Sequence, residues 1–194
     1  MQLYRVAWVD SERWRRTSQN TIGHPLYVPL DRQGVGRFDN PDHYAVLYTA
    51  TEPAAAVGET LGNLHTWTPT LFTRPKDQFV RALITLEARP HLIDLDDAST
   101  LQRLALRPSD VVRRNQGKTR EVALQLWLED HEHVDGLEWW SYYRPEGQLV
   151  MLWSRRLKDP ELFSSVEVVQ VESLEVGHPV VELAATVLPR RVET

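Results

Sequence analysis

The sequence predicts a single α+β domain over residues 1–194, with a second half that is mostly β-structure. Three apolar segments of strand length, separated by glycine or proline turns, lie in that half: residues 137–141, 148–153 and 165–174. Helical patterns accompany the strands, including an alanine-rich one after Thr51 and a longer amphipathic one over residues 119–130. A chain of 194 residues with 42% hydrophobic content is long enough to bury one substantial core.

The first elements follow from local patterns. Residues 3–9 alternate in a way that predicts a strand, with Arg5 on an otherwise apolar face. Residues 10–20 are polar and basic, which favours a solvated loop or a short helix, and residues 26–30 are expected to be extended. Residues 45–50 form a short apolar run bounded by turn residues, which predicts a buried strand.

A glycine-hinged loop precedes that buried strand. Gly34 and Gly36 permit backbone angles that other residues avoid, and the Asn-Pro pair at 40–41 closes the loop with a turn. After the strand, Thr51 is a candidate N-cap for a helix that places Glu59 about two turns from its start. Three chemically different side chains are therefore predicted to converge at one edge of the sheet: Arg37, Tyr48 and Glu59.

Patterns also assign the remaining segments. Further strands are predicted at residues 78–87 and 91–95, and helices at residues 97–105 and 119–130. The connection over residues 63–77 contains two prolines and is expected to be irregular, and Pro108 ends the shorter helix. Residues from 189 onward are expected to form a loose tail.

Composition narrows the classes of function. The absence of cysteine excludes disulfides, thiolate nucleophiles and zinc–thiolate sites. A net charge of −5 lacks the basic surplus of nucleic-acid binders, so no direct nucleic-acid binding is expected, although a few arginines can still hold a small anion. The N-terminus has no apolar signal-peptide core and no segment has the length of a membrane span. We therefore expect a cytoplasmic protein without membrane attachment.

Several familiar motifs are incomplete. The glycine pair at 34–36 lacks the third glycine of a dinucleotide fingerprint. Residues 117–119 resemble the end of a phosphate-binding P-loop, but Val112 stands where its first glycine is needed. His131 and His133 are two residues apart, whereas a zinc-binding helix needs histidines four apart. We therefore expect no metal cofactor.

The order of several short motifs resembles the RES domain, a family of bacterial toxins that is named for an Arg, a Glu and a Ser and is similar to the ADP-ribosyltransferases. The matching pieces are residues 3–6, 36–41, 47–50, Glu59 and 135–141. Phe38 stands where the family often has tryptophan, which keeps an aromatic ring. The resemblance extends from Arg5 to about Trp153 and implies an ADP-ribosyltransferase-like fold. In that fold, two small, mostly antiparallel sheets form a cleft with surrounding helices.

The resemblance also implies a function. NAD+ would be the substrate, and its nicotinamide–ribose bond would be cleaved by water or by inorganic phosphate, as in an NAD+ glycohydrolase or phosphorylase. Toxins of this family are typically paired with a Xre-type antitoxin, which would block the cleft. Two alternatives stay open from the sequence. One is an ADP-ribosyltransferase that acts on a macromolecular target, and the other is a catalytically silent nucleotide-binding or interaction module.

Roles for individual residues follow from the chemistry of that substrate. Glu59 is the candidate to stabilise the cationic ribose that develops as neutral nicotinamide leaves. Arg5 and Arg37 suit the pyrophosphate, and Tyr48 offers a ring for nicotinamide or its ribose and a hydroxyl to orient it. Ser141 is a candidate to bond the ligand from the opposite wall.

Simpler readings of two of these residues stay open. Arg5 could merely reach water from a sheet edge, and Ser141 could merely end a strand. Thr119 and, next to it, Arg120 are weaker binding candidates at a helix N-terminus, which favours anions.

Overall fold

The computed structural model describes residues 1–74, 76, 78–112, 116–143, 147–157 and 161–193. Within these ranges the strands are β1 (Gln2–Val9), β2 (Val46–Ala50), β3 (Thr66–Trp67), β4 (Thr73–Arg74), β5 (Phe79–Glu87), β6 (Leu92–Asp94), β7 (Gly136–Trp140), β8 (Gln148–Trp153), β9 (Glu167–Ser173) and β10 (Arg191–Val192). The helices are α1 (Pro53–Leu61), α2 (Ala98–Arg103), α3 (Pro108–Val112), α4 (Gly117–Asp130) and α5 (Pro179–Val187). Short 3₁₀ turns occupy Trp14–Arg16, Leu30–Arg32 and Pro69–Leu71.

Most strands join one mixed sheet. Its order is β4-β5-β1-β2-β8-β7-β6, and β9 adds an eighth strand by pairing with β5. All of its neighbours are antiparallel except β6 and β7, and β3 and β10 form a separate parallel pair. The predicted α+β class with mostly antiparallel strands is therefore confirmed.

The sheet divides between β1 and β2. These neighbours share a single register pair, Tyr4 with Ala50. By contrast, β1 pairs with β5 along its whole length, and β2 pairs with β8 along its whole length. Continued antiparallel pairing would bring Trp8 opposite Val46, but the strands have separated by then. The two halves of the sheet therefore diverge from one joint and leave an opening between them, which is the expected cleft.

Two apolar clusters cover the two faces of the sheet. The larger one packs α1, α4 and α5 on one face, with Val57, Leu126 and Val181 among its buried members. The smaller one lies under the loop segments around Leu26 and Phe163 on the other face. Both clusters are formed by the alternating inward positions of the strands, because successive side chains in a strand point to opposite faces.

Helix α1 matches the prediction closely. It begins at Pro53 after Glu52 as N-cap, one residue beyond the predicted cap Thr51. Proline suits this first helical position because its missing N–H would be unpaired there in any case. The helix buries its alanines and ends beyond Glu59, at Leu61. It follows β2 directly, so the strand and the helix carry Tyr48 and Glu59 as one rigid unit.

The expected loose C-terminal tail is wrong for residues 190–193, whereas Thr194 lies outside the described residues. Strand β10 pairs with β3, and the Arg190 guanidinium donates two hydrogen bonds to the Gly62 carbonyl oxygen, at 3.2 Å and 2.6 Å. The last carbonyls of a helix lack partners within the helix, so Arg190 caps the end of α1. The sequence pattern did not reveal this because the paired residues are far apart in the chain.

The C-terminal segment also supplies a helix that the patterns did not predict. Helix α5 packs against α1, where Leu188 lies so close to Gly58 that an added Cβ would be 3.2 Å from Leu188 Cδ1. The connection expected to be irregular likewise contains β3 and β4, while Pro75 and Asp77 within it lie outside the described residues. Strand β3 is formed by pairing with the distant β10, whereas β4 pairs with the start of the neighbouring strand β5.

We expect Arg190→Ala to destabilise the protein, because it removes both bonds that cap α1. A hydrogen bond from a charged donor contributes about 1.5–3 kcal/mol, so the free energy of unfolding should fall by roughly that amount. Arg191→Ala is the matched control, since its side chain is exposed and its ion pair is with exposed Glu193. Chemical denaturation of both variants checks this, and equal unfolding midpoints would contradict the capping role.

Candidate active site

A pocket of about 510 Å³ fills the opening between the two halves of the sheet. This volume is in the usual range for a small-molecule site. Its walls come from β1, β2, the loop over residues 28–39 and α1, with further residues from α3, β7, β8 and the segment before α4. Its polar and aromatic lining residues are Tyr4, Arg5, Arg32, Gln33, Arg37, Asp39, Tyr48, Thr49, Glu59, Thr60, Gln116, Trp139 and Tyr142. Four of the predicted site residues, Arg5, Arg37, Tyr48 and Glu59, therefore line one cavity.

Ser141 contacts this pocket through Glu59. Its hydroxyl accepts the Tyr143 N–H at 3.1 Å and donates to Glu59 Oε1 at 2.5 Å. Because the hydroxyl oxygen already accepts the backbone N–H, its proton is directed at the carboxylate. Ser141 itself is completely buried just beyond β7, so it holds Glu59 from behind instead of reaching a ligand.

Opposing influences act on the Glu59 carboxyl. Loss of solvent raises the pKa of Glu59 above its ordinary value, while the Ser141 hydrogen bond and the positive charge of Arg37 lower it. The side chain is nevertheless open to the pocket volume. A carboxylate that has lost part of its hydration interacts strongly with a positive charge that forms beside it.

Arg37 brings a positive charge close to Glu59. Burial lowers the pKa of Arg37, and the negative charge of Glu59 acts in the opposite direction. Its guanidinium donates to the Val112 carbonyl at 3.4 Å at the end of α3. An arginine stays protonated under these influences and has five N–H donors, so Arg37 retains donors for a ligand.

Arg5 is a second cation in the cavity. Its guanidinium donates to the carbonyl oxygens of Pro25 and Tyr27, both at 2.9 Å. Burial lowers the pKa of Arg5 to about 10, which still leaves it charged at neutral pH. In the described ranges no carboxylate pairs with it, so its charge is available to an anion in the pocket.

Asp39 holds the glycine loop through hydrogen bonds, and the sequence patterns did not predict it as a site residue. One carboxylate oxygen accepts the N–H groups of Gly34 and Gly36 at 2.8 and 2.7 Å, and the other accepts the Tyr48 hydroxyl at 2.8 Å. The Tyr48 hydroxyl in turn accepts the Phe38 N–H at 3.1 Å. The signal was present, because an aspartate shortly after glycines often bonds nearby backbone N–H groups.

The geometry of the loop explains why glycine stands at both positions. An added Cβ at Gly36 would be 2.5 Å from Asp39 Oδ1 and from the Tyr48 hydroxyl oxygen, which only a residue without a side chain avoids. Gly34 has φ of +114°, in the region that favours glycine. The Tyr48 hydroxyl therefore anchors the loop that presents Arg37, while the tyrosine ring faces the cavity.

Thr119 lies outside the pocket wall. It is fully buried, and its hydroxyl bonds the Arg37 carbonyl oxygen at 2.7 Å and the Gln116 carbonyl oxygen at 3.0 Å. Arg120 likewise donates from Nε to the Gly36 carbonyl at 3.0 Å. The start of α4 therefore holds the glycine loop by its backbone. Gln116, the residue before α4, lines the cavity.

Two absences apply to the part of the chain that the structure describes. It contains no group of three or more His, Cys, Asp or Glu side chains arranged to hold a metal ion. No helix in the same ranges has the length and apolar character needed to cross a membrane.

Asp39→Asn should weaken the fold, because an amide has one oxygen for the three donors that the carboxylate accepts. Leaving such a buried donor unpaired costs about 1–3 kcal/mol, and Asp39 is only 4% exposed. Asp42→Asn in the same region is the control, since that side chain is exposed. The loss should be visible in the free energy of unfolding, and an Asp39 variant as stable as the Asp42 variant would refute the anchoring role.

Glu59→Gln should make the protein more stable at neutral pH. A pKa raised by folding contributes stability that is present below the unfolded pKa and lost as pH rises through the folded pKa. At neutral pH the ionised Glu59 therefore opposes folding, and glutamine removes that cost. The advantage should shrink as the pH falls toward about 4, where the glutamate becomes mostly protonated in both states.

Thermal unfolding between about pH 4 and pH 7 measures this difference. Glu121→Gln, at an exposed position of α4, is the control for removal of one charge from a helix. A Glu59 variant that is less stable than wild type at pH 7, with the control unchanged, would contradict the expectation.

Comparison with known proteins agrees with the fold. The chain is similar to a chain in the crystal structure of the M. tuberculosis MbcT–MbcA toxin–antitoxin complex, at 14% identity and a TM-score of 0.59. The alignment covers 97% of this chain and 88% of that one. A comparison with curated proteins gave no match. The RES domain family model matches residues 2–176, and the chain therefore belongs to the RES domain family.

Proposed function

We propose that this protein is a toxin that cleaves the nicotinamide–ribose bond of NAD+, with water or inorganic phosphate as the acceptor. The observation that carries this proposal is the placement of Glu59, held by buried Ser141, in the same pocket of about 510 Å³ as Arg5 and Arg37. Membership of the RES domain family supports the same reaction class.

The charges of the pocket fit the substrate. NAD+ carries a negative pyrophosphate and a positively charged nicotinamide ring. Arg5 and Arg37 provide fixed guanidinium donors for the pyrophosphate, because arginine bonds phosphate oxygens through two parallel N–H groups. The Glu59 carboxylate lies in the same cavity and suits the positively charged end.

The reaction needs one carboxylate and no general acid. When the bond between the ribose carbon and the ring nitrogen breaks, both electrons go to the nitrogen, so nicotinamide leaves neutral. The ribose becomes oxocarbenium-like, as in glycoside hydrolysis, and an ionised carboxylate stabilises that charge. Glu59 can also accept a hydrogen bond from a ribose hydroxyl or from the incoming water. The acceptor oxygen then bonds to the ribose carbon and releases its proton to solvent.

Ser141 supports this chemistry through Glu59. Its hydrogen bond favours the ionised carboxyl and fixes its orientation before the substrate arrives. A charged group held in place in this way needs little rearrangement as the transition state forms. Ser141 is therefore a positioning residue, and Tyr48 contributes a ring to the wall and an anchor to the loop.

A partner protein is also part of the proposal. The similar solved structure is a toxin–antitoxin complex by its title. At the mouth of the pocket here, Val35 and Tyr142 are 79% and 67% exposed. Such apolar side chains around a cationic cavity suit a protein partner that covers the mouth. We propose that this partner is a Xre-type antitoxin, acting in the cytoplasm where NAD+ is present.

Product analysis tests the function directly. Purified protein should release nicotinamide from free NAD+, together with ADP-ribose in water or ADP-ribose 1″-phosphate when phosphate is the acceptor. Label transferred from NAD+ to a macromolecule would instead support an ADP-ribosyltransferase. If no nicotinamide is released with or without phosphate, and no label is transferred, then the enzymatic proposal is wrong.

Two variants should separate chemistry from binding. Glu59→Gln keeps the shape but removes the charge, so kcat should fall about 10²- to 10³-fold with little change in NAD+ affinity. Arg37→Ala removes contacts that exist before and during the reaction, so KM should rise as well. Steady-state rates and NAD+ binding, measured on folded variants, check both. Near-normal turnover by Glu59→Gln, or a defect cured by saturating NAD+, would refute the role of Glu59.

A further inference from the structure

The pocket contains a third arginine, Arg32, that the proposed reaction does not require. It ends the 3₁₀ turn Leu30–Arg32, is exposed to solvent and lines the same cavity as Arg5 and Arg37. Across the described ranges its guanidinium has no hydrogen-bond or ion-pair partner. Within the described ranges, no contact therefore explains why an arginine stands at this position of the pocket.

The residue next to Arg32 fixes its position in the cleft. The Gln33 amide donates to the Val46 carbonyl at 2.7 Å and accepts the Val46 N–H at 3.1 Å. The turn that carries Arg32 is therefore tied to the first residue of β2. This is the wide end of the opening, away from the joint between Tyr4 and Ala50.

Glu59 is tied to the opposite end of β2. Its partner Ser141 directly follows Trp140, which pairs with Gln148 of β8, and the next β8 residue, Leu149, pairs with Ala50. From Val46 to Ala50 is four strand steps, or about 13 Å at about 3.3 Å per residue. Arg32 and Glu59 are therefore tied to opposite ends of β2 in the pocket.

This order matches the order of groups in a dinucleotide. With the nicotinamide ribose at Glu59 and the pyrophosphate at Arg5 and Arg37, the second nucleoside extends toward Arg32. An arginine beside that ribose is how other nucleotide sites accommodate a 2′-phosphate. An acceptor phosphate, by contrast, must reach the ribose at Glu59, at the other end of β2.

We propose that Arg32 binds a phosphate monoester on the ribose farther from the cleaved bond, so that the 2′-phosphorylated dinucleotide NADP+ is also a substrate. This inference rests on the proposed function and adds a substrate class to it. The bond cleaved and the leaving group are the same as for NAD+. Arg32 contributes binding, and the chemistry stays with Glu59.

Kinetics with both dinucleotides test the proposal in wild type, Arg32→Ala and Arg16→Ala. Arg16 is the matched control because it ends another three-residue 3₁₀ turn, is exposed and lies outside the pocket. Wild type should cleave NADP+ as well as NAD+. Arg32→Ala should lower kcat/KM for NADP+ about ten- to hundredfold more than for NAD+, mainly through KM, because one charge-assisted contact is lost. Arg16→Ala should leave the ratio of the two values unchanged.

A binding measurement keeps this test independent of turnover. Adenosine 2′,5′-bisphosphate should bind wild type more tightly than ADP, and Arg32→Ala should abolish that preference. If neither dinucleotide is cleaved but the preference is present, the proposed reaction fails and the phosphate site stands. A wild type without NADP+ turnover and without the preference overturns the inference. So does an Arg32→Ala defect that is equal for both dinucleotides or that is seen only in the dependence on inorganic phosphate.

Discussion

The site depends on a sheet that separates between β1 and β2 after one residue pair. Such an opening exposes backbone groups that strand pairing would otherwise satisfy, and buried backbone groups left unpaired are costly. Here side chains form hydrogen bonds with these backbone groups instead. The Gln33 amide bonds both the N–H and the carbonyl of Val46, as a neighbouring strand would. Arg5 spans the gap on the other side by bonding two carbonyls of the 25–27 segment. The cleft is therefore stabilised by the same polar groups that line it.

Each wall of the cleft is held by contacts from elsewhere in the chain. The glycine loop is fixed from inside by Asp39 and from behind by Thr119 and Arg120 of α4. The opposite wall, α1, is fixed by the hydrogen bond from Ser141 to Glu59. The result is a positive loop and a negative helix that face each other across a cavity. Both walls are anchored by hydrogen bonds to other segments, and the charges of Arg37 and Glu59 act on each other across the cavity.

The sequence predicted those parts of the molecule that depend on nearby residues. The β2–α1 unit was predictable because its apolar run, its proline and its alanines act locally, and the family motifs then identified Arg37, Glu59 and Ser141. Contacts between distant segments were not predictable in this way. The residues around Arg190 form no local pattern that predicts its capping of α1, which lies far earlier in the chain. Arg32 belongs to no motif that we identified, and its position in the cleft depends on the hydrogen bonds between Gln33 and Val46 of β2. Thr119 was predicted to bind a ligand because it lies at a helix N-terminus, which can bind an anion. The same position can instead hold a loop, as Thr119 does here by bonding the Arg37 carbonyl.

The support behind α1 connects stability to activity. Desolvation that raises the pKa of Glu59 also makes its ionised form a cost to folding, so the helix that carries it must be held by other contacts. Helix α5 packs on its outer face, and Arg190 caps its end. Both lie beyond residue 176, where the family match ends. These contacts from beyond residue 176 stabilise the helix that carries Glu59. The carboxyl group that we propose for catalysis opposes folding in its ionised form, and a segment far along the chain stabilises the helix that carries it.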